Sequence, residues 1–193
     1  MQPWGWGIPP LDFSRGAFCD KSSNVQVRNG LFYLPNHEEP FTGKNQCIYK
    51  SNGNNYSKGN ILNGLKDGKW TWWYENGQIE FVANYKNGLL DGKWNAWFEN
   101  GLQSGEGSFK DGTGTYLQFY GNGRKFVEVS YKDGNKDGME TYWHKNGQKS
   151  SEINYKNGEY HGKVNGWYRN GQKEREKNYI YGKEDGKHTM WEE

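Results

Sequence analysis

The sequence predicts an all-β fold, an elongated solenoid of stacked β-hairpins built on a repeat of about 24 residues. Three observations predict it. A glycine recurs at Gly68, Gly92, Gly114, Gly138, Gly162 and Gly186, at spacings of 24, 22, 24, 24 and 24 residues. Between these glycines, aromatic-rich runs alternate with Asn-Gly pairs, as in DGKWTWWYENGQIEFVANYKNG from Asp67 to Gly88. Nowhere do apolar residues recur at the three-and-four spacing of a helix, and Gly or Asn-Gly interrupts every dozen residues. Units of such a period are too thin to bury an apolar face alone, so they stack on their neighbours.

Composition first argues against a core. Only 32% of the 193 residues are hydrophobic, and the mean hydropathy is -1.19. The aromatics reverse that reading, because each buries roughly 150 to 250 Å², and ten Trp, fourteen Tyr and nine Phe at repeating positions replace the missing aliphatics. A net charge of +2 implies no general attraction to nucleic acid. No run approaches the roughly 18 to 20 apolar residues of a membrane span.

In chain order, residues 1–24 read as an irregular arm with Pro3, Pro9 and Pro10, and lack the basic start and apolar stretch of a signal peptide. Cys19 and Cys47 read as separate free thiols in preference to a disulfide. Cys19-Asp20-Lys21-Ser22-Ser23 also resembles the tether of a bacterial lipoprotein, although Phe18 is bulky for that role, and membrane contact is expected only if Cys19 is lipidated. Residues 25–193 form a single array, led by a hairpin at 25–34 around Asn29-Gly30 that could cap it. The first copy opens at Gly43, and its turn glycine, Gly53, comes ten residues on instead of nine, which predicts a bulge in that strand. Asn76-Gly77 predicts a type I′ hairpin turn, which needs φ > 0 at both residues. The chain's last copy stops at Trp191-Glu192-Glu193 after one strand, leaving an edge that its charges keep soluble.

Compared column by column, the copies place Trp73, Trp97, Phe119, Trp143, Trp167 and Trp191 five residues after each opening Gly. Tyr74, Phe98, Tyr120, His144 and Tyr168 follow, and Tyr85, Phe109, Tyr131, Tyr155 and Tyr179 stand eight residues past each turn Gly. These ladders are expected to be the core or its rim. Trp70, Trp72, Trp94, Tyr116 and Tyr142 lie in columns that vary between copies, which marks them as candidate exposed rings for a partner. A second candidate surface is the column Glu106, Glu128, Glu152 and Glu176, with Val82 at its head, spaced about 10 Å apart. That acidic stripe suits a basic protein partner, unless Lys86, Lys110, Lys132 and Lys156 dilute its field.

No catalysis is expected. The four His residues share no column with Cys, Asp or Glu at metal-ligand spacing, and the glycines are turn residues rather than a phosphate loop, so neither metal nor cofactor is implied. His144 fills a Tyr or Phe slot, and His161 replaces the Asp that precedes the opening Gly elsewhere.

The phrases Asp67-Gly68-Lys69-Trp70, Asp91-Gly92-Lys93-Trp94, Tyr74-Glu75-Asn76-Gly77, Phe98-Glu99-Asn100-Gly101, Tyr85-Lys86-Asn87-Gly88 and Tyr155-Lys156-Asn157-Gly158 resemble the MORN repeat, in the bacterial variant of the YwqK-like antitoxin family. His161-Gly162 restores the His-Gly pair of the wider pattern. The resemblance covers about Phe41 to Trp191 and implies a non-enzymatic rod that binds proteins: an antitoxin or immunity component sequestering a toxin, or an envelope-associated, self-associating scaffold or adaptor. The cytoplasm is the expected compartment for the first, the envelope or periplasm for the second. The chain departs from the pattern at Gly112-Thr113-Gly114, which shortens one copy, and at Glu140 and Val164, which stand where Trp70 and Trp94 stand elsewhere.

Overall fold

A computed structural model describes residues 17–19 and 26–193 of the chain. All regular structure among them is β. The strands are β1 (Ala17–Cys19), β2 (Gln26–Arg28), β3 (Leu31–Tyr33), β4 (Gly43–Tyr49), β5 (Asn55–Leu62), β6 (Leu65–Trp73), β7 (Ile79–Lys86), β8 (Leu89–Trp97) and β9 (Gln103–Lys110). They continue as β10 (Thr113–Phe119), β11 (Lys125–Lys132), β12 (Asn135–Trp143), β13 (Lys149–Lys156), β14 (Glu159–Trp167), β15 (Lys173–Ile180), β16 (Lys183–Glu184) and β17 (Thr189–Met190). β4 to β15 follow one another as antiparallel neighbours in a single 15-stranded sheet, with β1 on the outer side of β4, and β16 and β17 both on β15. This is the long sheet of stacked hairpins that the repeat predicts.

Two kinds of turn alternate. Asn87-Gly88 has φ of 49° and 79°, and Asn63-Gly64, Asp111-Gly112, Asp133-Gly134 and Asn157-Gly158 share that double left-handed form, the I′ geometry that suits twisted strands. Asn76-Gly77 does not: only Gly77 has positive φ, its amide donates to the Tyr74 carbonyl at 2.9 Å, and the Tyr74 amide donates to the Gln78 carbonyl at 2.8 Å. The register slips between Trp72 and Trp73 beside it. The expected type I′ turn there is therefore corrected to a longer loop closed by a single left-handed Gly, with the Asn76 side chain accepting from the Gln78 amide at 2.9 Å. In the first copy the extra residue sits in this loop, where the Gly53 amide reaches the Tyr49 carbonyl one residue further back than Gly77 reaches. The strand itself carries the same slip as other copies, so the extra residue makes no additional bulge.

The opening glycines mark a second irregularity. Where β7 meets β8, Ala83 faces Trp94 while Tyr85 faces Leu90, so β8 carries two extra residues around Gly92. β6, β12 and β14 repeat this at Gly68, Gly138 and Gly162, all with positive φ. Such bulges bend a strand and increase its twist. β10 lacks one: β9 and β10 pair without interruption from Thr113↔Lys110 to Gln118↔Gly105. The 22-residue copy has lost the two bulge residues.

One face of the sheet is buried, and its large side chains lie over small ones on the next strand. Across neighbouring strands Trp70, Ala83, Trp94, Gly107, Tyr116 and Val129 form one transverse row. A Cβ on Gly59 would stand 2.2 Å from the Trp70 ring, and one on Gly105 2.6 Å from the Trp94 ring. Trp72 stacks on Phe81 with centroids 4.0 Å apart and on Trp70 at 5.4 Å. The core runs from Phe32 to Val129; beyond it Ile153, Tyr155, Val164 and Tyr179 are only half-buried.

The termini differ from expectation. Ala17–Cys19, inside the stretch expected to be irregular, pairs with β4, while the rest of residues 1–24 lies outside the described residues. β2 and β3 form the expected leading hairpin around a I′ turn at Asn29-Gly30, but as a separate sheet. The Phe32 amide donates to the Gly64 carbonyl, so this hairpin flanks a turn of the array and does not cap its end. Cys47 is disulfide-bonded, against the free-thiol reading, and β1 sets Cys19 in register opposite it.

Candidate interaction surface

On the face away from the core, residues from successive strands meet in one line: Asn95, Glu106, Leu117, Glu128, Thr141, Glu152, Asn165, Glu176 and Thr189. The predicted column Glu106, Glu128, Glu152 and Glu176 thus exists, with a carboxylate on every second strand and a spacing of about 10 Å. Its partners differ from those expected. Lys125 pairs with Glu128 at 3.1 Å, and Lys149 and Lys173 pair with Glu152 and Glu176. Lys163 adds a contact to Glu176 at 3.2 Å, and the Gln103 amide donates to Glu106 at 3.2 Å. Hydrogen bonds from Lys173 and then Lys163 hold the Glu176 carboxyl below its ordinary pKa. Of the lysines expected to dilute the stripe, Lys86, Lys110 and Lys156 pair with Asp111, Asp91 and Asp137 instead. The phrase Lys-x-x-Glu at 125–128, 149–152 and 173–176 carried the signal, but residues three apart on a regular strand point to opposite faces. Here the long lysines start their strands beside the register slip and reach around.

Within this line Asn165 Oδ1 is buried and has no hydrogen-bond donor among the described residues. It lies between Glu152 and Glu176. A donor-bearing group from outside would satisfy the Asn165 oxygen.

The aromatic candidates are corrected. Trp70, Trp72, Trp94 and Tyr116 are core residues, Trp70 with 0% exposure, and Tyr142 packs half-buried against them. Column variation reflected size matching across strands, not exposure. The column Trp73, Trp97, Phe119, Trp143 and Trp167 is the half-buried rim, and Trp191 is 40% exposed. Among the described residues its rings do not touch one another; ring contact along a column occurs at Trp94–Tyr116 (5.6 Å) and Phe109–Tyr131 (6.2 Å). The rim is joined through its backbone instead. Tyr49, Tyr74, Tyr120 and Tyr168 donate their hydroxyls to the carbonyls of Trp73, Trp97, Trp143 and Trp191, and His144 Nε2 does the same to Trp167.

Glu140, standing where Trp70 and Trp94 stand in their copies, is buried on the core face with 2% exposure. Lys136 Nζ lies 2.6 Å from it and the Tyr142 hydroxyl 3.0 Å. Tyr155 joins this cluster: burial first, then the Glu140 charge and a hydrogen bond to it, push its phenol well above the ordinary value. Sequence reading marked Glu140 as a departure but could not show that three donors close around it.

Residues 66–87 and 136–157 match the profile of a MORN repeat variant. No curated protein matches the chain. MORN repeats generally mediate protein interactions, and the two matches indicate a repeat module of that protein-binding type.

Proposed function

We propose that this array is the antitoxin or immunity component of a bacterial pair, a non-enzymatic rod that sequesters a basic protein toxin along its Glu face. The line of Glu106, Glu128, Glu152 and Glu176 carries the reading, because carboxylates on alternate strands present a regular acidic comb. Lysines or arginines of a partner would displace Lys125 from an exposed pair worth little on its own, compete with Lys149 and Lys173 for the more enclosed Glu152 and Glu176, and meet the orphaned Asn165 oxygen. Complementary charge of this kind sets association rate and partner choice more than raw affinity. The test is co-purification of the tagged chain with the product of its neighbouring gene, repeated with Glu128→Lys and Glu152→Lys. A complex that weakens with salt and is lost in the double variant is expected; recovery of no neighbour product would overturn the reading.

The disulfide at Cys47 favours a second reading, an envelope-associated scaffold or adaptor, since such bonds persist in oxidising compartments. A lipid thioether at Cys19 and a bond from Cys19 to Cys47 exclude each other. Mass spectrometry of the native protein distinguishes a lipid adduct from an oxidised pair.

A further inference from the structure

A cleft of about 280 Å³ opens on the core face beside the I′ turns, lined by Lys66, Tyr85, Leu90, Phe109, Tyr131 and Phe32 among others. Lys66 Nζ lies 5.1, 4.8 and 4.9 Å from the ring centroids of Trp70, Trp72 and Tyr85. Burial lowers its pKa to about 8, and no carboxylate pairs with it among the described residues. The Tyr85 hydroxyl in the same lining is buried and has no hydrogen-bond partner among those residues. A buried ammonium without an anion and a buried phenol without an acceptor are both costly.

The chain carries its own template for what would satisfy them. Lys136 holds the position two residues before its opening Gly, as Lys66 does, and Tyr155 holds the position of Tyr85. Lys136 Nζ lies over Tyr155 at 4.8 Å, as Lys66 lies over Tyr85. In that copy both groups close on the Glu140 carboxylate. In the Lys66 copy Trp70 replaces the acid, and the cleft lined by Lys66 and Tyr85 is bordered also by Leu65, Leu89 and Leu90.

We propose that this cleft binds a small monocarboxylate with an apolar body, its carboxylate held by Lys66 Nζ and Tyr85 OH and its body by the leucines and Phe109. The volume stands at the low end of ligand sites and admits roughly ten heavy atoms. The site is separate from the Glu face and does not depend on it.

The test titrates the intact protein with octanoate and with octan-1-ol, following tryptophan fluorescence, since Trp70 and Trp72 flank the ammonium. Octanoate is expected to bind at least about tenfold more tightly than octan-1-ol, the scale of one charge-assisted hydrogen bond. Lys66→Met abolishes that preference, Tyr85→Phe reduces it about threefold or more without changing octan-1-ol, and Lys69→Met, at an exposed position of the same strand, leaves it intact. Equal binding of the two probes, absence of saturable octanoate binding, or an unchanged preference in Tyr85→Phe overturns the proposal, the last even if Lys66→Met does not fold.

Discussion

Tyr120 donates its hydroxyl hydrogen to the carbonyl of Trp143, 23 residues on, at 2.6 Å. The same bond joins Tyr74 to Trp97 and Tyr168 to Trp191, and His144 supplies it to Trp167 through an imidazole nitrogen. This explains why a His serves in a Tyr column: it supplies both the ring and a donor of that reach, whereas Phe98 keeps the ring alone. Tyr120→Phe should cost about 1 kcal/mol, the net worth of one hydrogen bond, read as a lower urea midpoint at unchanged slope.

Glu140 holds a buried cluster that fails when one member is removed. Glu140→Ala strands Lys136 and the Tyr142 hydroxyl and should cost about 3 kcal/mol. The double change Lys136→Leu with Glu140→Trp restores the apolar pattern of the Trp94 copy, where Leu90 holds the Lys136 position, and should recover at least half of that loss, because well-packed apolar groups replace buried ion pairs at little cost. Equilibrium denaturation of the three proteins checks the order.

Two opening glycines should respond differently to alanine. Gly68 has φ of 67° and open space around its missing Cβ, so Gly68→Ala costs only the left-handed strain of about 1 to 2 kcal/mol. Gly114 has no bulge, and a Cβ there would stand 2.1 Å from the Ser108 carbonyl oxygen. Gly114→Ala should therefore cost about 3 kcal/mol or more through displaced backbone. Thermal melts of the pair give the comparison.

Stability should rise with pH between about 8 and 10. Lys66 loses its proton at about 8 when folded and near 10.5 when unfolded. In that window the unfolded chain binds the extra proton, so raising pH favours the fold, by about 3 kcal/mol at most. Above 10 the trend reverses, because burial raises the phenols of Tyr85 and Tyr116 and the unfolded chain ionises first. Denaturation midpoints across pH 7 to 11 should peak near 10, and Lys66→Met should remove the rising limb.

Charge reversal at Glu128 and Glu152 should leave the fold intact. Glu128 and its Lys125 are largely exposed, and the Glu152 pair relies on an exposed Lys149. The Glu128 reversal should change stability by less than about 1 kcal/mol, and the Glu152 reversal, at a side chain only 15% exposed, by about 1 to 3 kcal/mol, both measured by urea midpoint. Loss of a partner in these variants then reports on binding alone.

The period and the hairpins were legible because each rests on local chemistry, but the I′ geometry expected at Asn76-Gly77 belongs to the other Asn-Gly pairs, such as Asn87-Gly88, where both residues take positive φ. The sidedness of the aromatics was not legible. Trp70 and Tyr116 vary along their column because Gly59, Gly107 and their like vary oppositely on the next strand, and that compensation shows only once strands are paired. Constancy in the Trp73 column reflected a shared place beside the loop, where the backbone carbonyl does the linking. The Glu line was found from spacing, whereas its lysines were misassigned because a bulge lets residues three apart meet.

The missing bulge between β9 and β10 makes one junction of the array unlike the others. Bent units can be exchanged with bent units without disturbing the phase of their neighbours, but the straight pair fixes a landmark that separates the copy matched at 66–87 from the copy matched at 136–157. Duplicating a whole unit on either side would lengthen the rod, whereas splicing across this joint would rotate one half against the other and break the Glu line at Leu117. The shortened copy is the keystone by which an otherwise uniform ribbon counts its own position.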